Sequence, residues 1–178
     1  FPIPEVIKND TIALPVQYFN FLGEIESGII EINIYILNDV YELFQILIED
    51  KFPLSSVIPI SEFGNNDDLS MDANNCSCFN FRTITDNPSL LSIHAYGFAL
   101  DINPLQNPYI NGKKVYPPKG VYDPTKLGTL LPSTRVVMFL KERGFVWGGD
   151  WDKPYRDYQH FQKELPEFLK IRYKDLQI

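Results

Sequence analysis

The run Phe98-Ala99-Leu100-Asp101-Ile102 sets the hardest condition on this chain. It reads as a buried strand, apolar on both sides of an aspartate near its end. A carboxylate removed from water without a partner is very costly, so the fold must bring one to Asp101. A metal ion would serve; so would an arginine. Seven positions before Asp101 stands His94, one of only two histidines in the chain. Gly97, between them, allows a tight bend that could swing His94 back toward Asp101. The other histidine, His160, lies far along the sequence in Asp157-Tyr158-Gln159-His160-Phe161.

Imidazole nitrogen and carboxylate oxygen are ordinary zinc ligands at about 2.0–2.2 Å, and catalytic zinc sites combine three protein ligands with one open position. His94, Asp101 and His160 would make such a set for one metal ion, with Asp157 beside it for proton chemistry. Spacing alone does not choose between this and a histidine that is merely packed near an apolar strand.

The fuller pattern is S-x-H-x-x-G-x-A-x-D from Ser92 to Asp101, followed by D-x-x-H from Asp157 to His160. It resembles the zinc D-alanyl-D-alanine carboxypeptidase and L-alanyl-D-glutamate endopeptidase family, which includes VanY-like peptidoglycan peptidases and several phage endolysins. The likeness continues through Asp101-Ile102-Asn103-Pro104-Leu105-Gln106-Asn107-Pro108-Tyr109 and Trp147-Gly148-Gly149-Asp150-Trp151, and covers about residues 60–162. The resemblance implies one zinc ion held by His94, Asp101 and His160. It implies that Asp157 is the catalytic carboxylate, where many relatives carry glutamate. It matches Arg82 to an arginine that points into the site from the strand before the S-x-H segment. Ser92 would bind substrate or support the ligand two residues on. The implied fold is α+β, with a small, mainly antiparallel sheet carrying the zinc site between helices, as in hedgehog and D-Ala-D-Ala peptidase-like domains.

The implied activity is hydrolysis of a peptide bond next to a D-amino acid in peptidoglycan stem peptides, by a carboxypeptidase or an L-Ala-D-Glu-type endopeptidase. The implied location is the bacterial cell envelope, periplasmic or secreted. Two other readings share the scaffold: a zinc amidase acting on other peptides, and a non-catalytic zinc-binding module of the hedgehog type. An intact Asp157 argues against the second, because a binding module needs no general base.

Composition narrows the partners. A net charge of −7 argues against nucleic acid and anionic membrane surfaces. No apolar run approaches a membrane span, and a monomer is expected. The chain starts at Phe1, as a processed exported form or a trimmed chain would. With 178 residues, 44% of them hydrophobic, one domain is expected. Its catalytic part would run over 25–178, after an extended arm at 1–24 with one short helix. Cys76 and Cys78 sit too close in sequence for an easy bridge and read as buried thiols. There is no phosphate-binding glycine loop and no G-x-S-x-G. A serine or cysteine triad would consume one histidine and leave the other unexplained.

Local patterns predict the remaining elements. Residues 28–33 read as a short strand. Val40, Leu43, Phe44, Leu47 and Ile48 fall on one face of a helix over 34–51, with Asn33 or Asn38 as cap. Residues 57–61 read as an edge strand, 64–75 as a solvated loop or short helix, and 79–83 as a half-buried strand. Residues 103–132 read as a long loop able to wall a cleft. Ser133 is the expected cap of a helix ending near Arg143, stopped by Gly144. Trp147 and Trp151 read as walls, and 162–178 as an amphipathic tail broken by Pro166.

Overall fold

The structure is a computed structural model that describes residues 2–84 and 87–176. Phe1, and with it the expectation about the chain's start, lies outside them. Helix α1 (Glu5–Asp10) leads into strand β1 (Thr11–Phe19), which pairs antiparallel with β2 (Ile25–Asn33). Asn20 closes the turn, its side-chain oxygen accepting from the backbone N–H groups of Leu22 and Glu24. Residues 11–19, expected in an extended arm, therefore form one strand of a hairpin, and Val16 and Tyr18 enter the core. Residue 24, where the arm was expected to end, lies in that turn.

A single 3-10 turn at residues 34–36, capped by the Asn33 side chain, precedes helix α2 (Leu37–Glu49). The predicted stripe is buried at Val40, Leu43, Phe44 and Leu47. Strand β3 (Ser56–Val57) stops short of the span expected, because Pro59 lacks an N–H and the chain turns into a 3-10 segment at 60–63. Helix α3 (Asp67–Asp72) carries an Asn66 cap and leads to β4 (Asn75–Cys76), which pairs parallel with β3.

The strand expected over 79–83 does not form. Phe79 N–H donates to Glu31 O while Asn80 N–H donates to His94 O, so successive residues bond to different neighbours and no ladder develops. Both side chains are buried, against simple alternation. Pairing resumes with β5 (Thr83–Ile84) against β6 (Asn87–Leu91).

Strand β7 (Ala99–Asp101) is buried along its length. The long segment after it holds a hairpin, β8 (Tyr109–Asn111) and β9 (Lys114–Tyr116). Two buried asparagines pin its base. The Asn103 side-chain amide donates to the carbonyls of Pro53 and Gly128 at 2.8 and 3.2 Å. The Asn107 amide donates to the carbonyls of Ile102, Asn103 and Gly128, while its oxygen accepts from Leu130 N–H at 2.7 Å. Irregular backbone can be buried here because its polar groups find these partners.

Helix α4 (Arg135–Glu142) starts after Thr134 rather than at a Ser133 cap; the Thr134 hydroxyl serves Leu131 N–H instead of the helix. Val136, Val137 and Leu140 are buried, and Phe139 only partly. Strands β10 (Phe145–Trp147), β11 (Tyr155–Asp157) and β12 (His160–Lys163) follow, then helix α5 (Glu167–Arg172), which begins at Pro166 and buries Leu169.

Most pairings are antiparallel, as an α+β chain of this kind was expected to show; β3 with β4 is the parallel exception. The central sheet has the order β10-β12-β7. Trp147 stands opposite Phe161, and Phe161 opposite Leu100; next to them His160 stands opposite Asp101. Side chains alternate along a strand, so the first set faces the core while His160 and Asp101 share the other face. The Trp147 and Phe161 rings stack with centroids 6.2 Å apart. No helix among the described residues is long and apolar enough to cross a membrane.

This register predicts that Phe161→Ala, at a fully buried position, lowers unfolding free energy by about 3–5 kcal/mol in a denaturant titration. A loss below about 1 kcal/mol, the range typical of surface substitutions, would mean that Phe161 does not face the core.

Candidate metal centre and its cleft

Three ligand-type side chains meet above the central sheet. Asp101 and His160 are brought together by the β7–β12 register. His94 arrives from the other side on a 3-10 turn at residues 93–96. Ser92 opens that turn, its hydroxyl oxygen accepting from His94 N–H at 3.3 Å. Gly97 closes it at φ +67°, and a side chain there would meet the Asn33 backbone nitrogen at 2.6 Å. No L-residue with a side chain satisfies both conditions without strain, so Gly97 holds the bend that the sequence suggested.

The facing atoms lie close together. His94 Nε2 is 3.2 Å from His160 Nδ1 and 3.2 Å from Asp101 Oδ2, and His160 Nδ1 is 3.1 Å from Asp101 Oδ1. Hydrogen-bond partners on the far side of each ring set the tautomers. His94 Nδ1 is 2.7 Å from the carbonyl of Cys78, which can only accept, so that nitrogen carries the proton. His160 Nε2 is 2.9 Å from Gln162 Oε1 and donates to it. With both rings neutral, two imidazole lone pairs and a carboxylate would point at one another with no hydrogen between them. Such an arrangement repels itself unless a cation occupies the centre. Tetrahedral bonds of about 2.0–2.2 Å separate donor atoms by about 3.3–3.5 Å, close to the spacings here. These three residues could therefore hold one metal ion.

Without a metal, a proton takes part of that role. Burial lowers the His160 imidazole, but the hydrogen bond and charge of Asp101 outweigh it and lift His160 to about 9. Burial raises Asp101, yet His94 and His160 prevail and hold its carboxyl well below the usual range.

Asp157 has the opposite character. It ends β11, three residues before His160, and its Oδ1 is buried with no hydrogen-bond partner. Burial pushes its carboxyl up to about 7, aided by Asp101, while His160 and the Gln159 amide pull the other way. A carboxyl near 7 can both take and return a proton at neutral pH. Gly148 makes room for it: a side chain there would come within 2.8 Å of the Asp157 Cβ. The following turn is clamped by Trp147, whose indole N–H donates to Tyr158 O at 2.9 Å, so Trp147 is the expected structural wall.

The site opens into a cleft of about 630 Å³. All six residues singled out from sequence line it: Arg82, Ser92, His94, Asp101, Asp157 and His160. Arg82 Nη2 lies 3.1 Å from Asp67 Oδ2, its Nη1 donates to Thr83 O at 3.2 Å, and its Nε is buried without a hydrogen-bond partner. Trp151 sits over His160 with ring centroids 5.7 Å apart. The β8–β9 hairpin contributes Tyr109, Asn111, Lys114 and Tyr116 to one wall. Gln162 and Asp67, not singled out from sequence, line the cleft as well. Gln162 could have been found from its i+2 position, which puts it on the same strand face as His160. Cys76 and Cys78 are free, buried thiols; burial raises Cys76 to about 12 and Cys78 further still, so neither offers a ready thiolate.

Comparison with known proteins gives one result. A family model described as D-alanyl-D-alanine carboxypeptidase matches residues 85–163. The match supports that peptidase family, without favouring its VanY-like members. It spans His94, Asp101, Asp157 and His160, and stops short of Arg82. No curated protein and no solved structure matches the chain.

The state of Asp157 gives a stability prediction. Its folded value lies above the ordinary carboxylate value, so the metal-free protein retains a proton that the unfolded chain loses. Stability tied to this group is present at low pH and is lost as pH rises from about 4 to about 7. Asp157→Asn does not titrate. The metal-free variant should therefore melt higher than the native protein at pH 7.5, with the gap closing toward pH 4. Equal melting temperatures throughout, measured by calorimetry, would mean that Asp157 is not strained by burial.

Proposed function

We propose that this protein is a zinc metallopeptidase that hydrolyses a peptide bond next to a D-amino acid in peptidoglycan stem peptides. The observation that carries this reading is the convergence of three metal-ligand side chains, His94, Asp101 and His160, beside the buried, unpartnered Oδ1 of Asp157. Under this reading the protein holds one zinc ion and works as a monomer in the bacterial periplasm or outside the cell. The family match supports the peptidase class, and the cleft is large enough for a short peptide.

His94, Asp101 and His160 would hold the zinc ion, which when bound would supply Lewis-acid chemistry: a water with a pKa of about 7 and a polarised carbonyl. The chain's own residues do the rest. Asp157 Oδ1 has no internal partner and accepts the proton of the attacking water, then returns it to the departing amine. Arg82 faces the same cleft and places positive charge where an oxyanion develops, a kind of contribution typically worth about 10²–10³ in rate. Cys78 O and Gln162 Oε1 keep both imidazoles in the tautomer that ligation needs. Ser92 holds the turn that presents His94.

Digestion of defined muropeptides followed by mass spectrometry tests the reading: one stem-peptide bond should be cut, and removal of metal by a chelator should abolish cleavage. Cleavage that survives complete metal removal would contradict it. The roles separate by substitution. Asp157→Asn should keep stoichiometric zinc and lose about 10²-fold or more in kcat, because the ligands remain and the base is gone. His160→Ala should lose zinc and activity together, seen by elemental analysis. Loss of zinc in Asp157→Asn would make Asp157 a ligand instead of the base.

A further inference from the structure

We propose that Asp67 is a positioning residue for Arg82, holding its guanidinium in the working pose. The inference rests on the peptidase reading above. Asp67 is the first residue of α3, just after the Asn66 cap, and it uses both carboxylate oxygens. Oδ2 is 3.1 Å from Arg82 Nη2. Oδ1 accepts from the Asn80 side-chain amide at 2.9 Å. Asn80 is itself buried, and its backbone N–H donates to the carbonyl of His94 at 3.0 Å. The backbone carbonyl of Arg82 accepts from Ser92 N–H, also at 3.0 Å. One carboxylate thus ties the arginine side chain to the segment that seats the His94 turn.

The physical need is specific. Arginine has a long flexible stem, and holding it in one rotamer costs conformational entropy. The same cleft contains three other carboxylates, on Asp68, Asp101 and Asp157. A guanidinium free to move there would be drawn toward Asp157 and would compete for the oxygen that takes the proton. The Asp67 and Arg82 side chains are only 25% and 28% exposed, so the pair is less screened than a rim salt bridge. Holding Nη2 on Asp67 and Nη1 on Thr83 leaves the cation near the reaction without letting it pair with the base.

The test uses the full-length zinc-loaded protein and the variants Asp67→Asn, Asp67→Glu, Arg82→Ala and Asp67→Asn/Arg82→Ala. Asp67→Asn keeps the oxygen that serves Asn80 but cannot form the ion pair. Its kcat on a defined muropeptide should fall about tenfold or more, with KM within about twofold and zinc content unchanged. Asp67→Glu should recover part of the loss. Adding Asp67→Asn to Arg82→Ala should change nothing further, since the residue acts only through the arginine. Fully additive losses, or an unchanged kcat in Asp67→Asn, would overturn the proposal. NMR relaxation of the Arg82 side-chain Nε–H gives a readout independent of activity: the group should be ordered in the native protein and mobile in Asp67→Asn. Equal order in both would also overturn it. If the native protein cut no muropeptide at all, the peptidase reading would fall, and the NMR comparison would still decide the pair.

Discussion

Three electron-rich side chains face one another across about 3 Å in the interior of this protein, and much of the local architecture serves to keep them there. A proton shared between His160 and Asp101 holds part of the cluster, but with both rings neutral the facing lone pairs would repel. The sheet register fixes Asp101 against His160. The Gly97 bend delivers His94 from a separate segment. The Cys78 carbonyl and the Gln162 amide oxygen accept hydrogen bonds from the far nitrogens of the two rings and so fix their orientation. A cation at the centre would turn that repulsion into attraction.

The rest of the molecule can be read as support for that arrangement. Below the sheet, Trp147, Phe161 and Leu100 fill the core directly behind the ligands, so the ligand-bearing strands cannot tilt without opening a cavity. Asn103 and Asn107 replace regular pairing with side-chain bonds and anchor the loop that carries the β8–β9 wall. At the far edge, the Asn33 side-chain amide donates to Tyr96 O and to the Tyr173 hydroxyl, joining the His94 turn to the C-terminal region. The site itself runs against stability. Asp157 Oδ1 is buried without a hydrogen-bond partner, the kind of local cost that a binding or catalytic centre retains and a purely structural core would lose.

What was legible in the sequence follows from how local each signal is. The meeting of His94, Asp101 and His160 was legible because histidine is scarce here and Asp101 stands alone in an apolar strand. Helix α2 was legible because its stripe repeats over several turns. The β1–β2 hairpin was not, because its pairing depends on a turn made by Asn20 side-chain bonds rather than a Gly or Pro dipeptide. The 79–83 segment looked like a strand by alternation, yet its N–H groups serve two different neighbours, a tertiary fact no window can hold. The β8–β9 hairpin did leave a trace: its two-residue loop, Gly112-Lys113, has glycine at the first turn position, obscured by strands of only three residues. Asp67 left none, because its meaning arises only when α3 folds back onto Arg82.

The central claim is that the cation at this centre is a metal bound by two imidazoles and one carboxylate. X-ray absorption at the zinc edge of the purified protein tests it most directly. The account predicts one zinc per chain with nitrogen and oxygen neighbours at about 2.0–2.2 Å, multiple scattering from two imidazole rings, and no sulfur. Zinc–sulfur scattering near about 2.3 Å would assign the metal to Cys76 and Cys78 and contradict it.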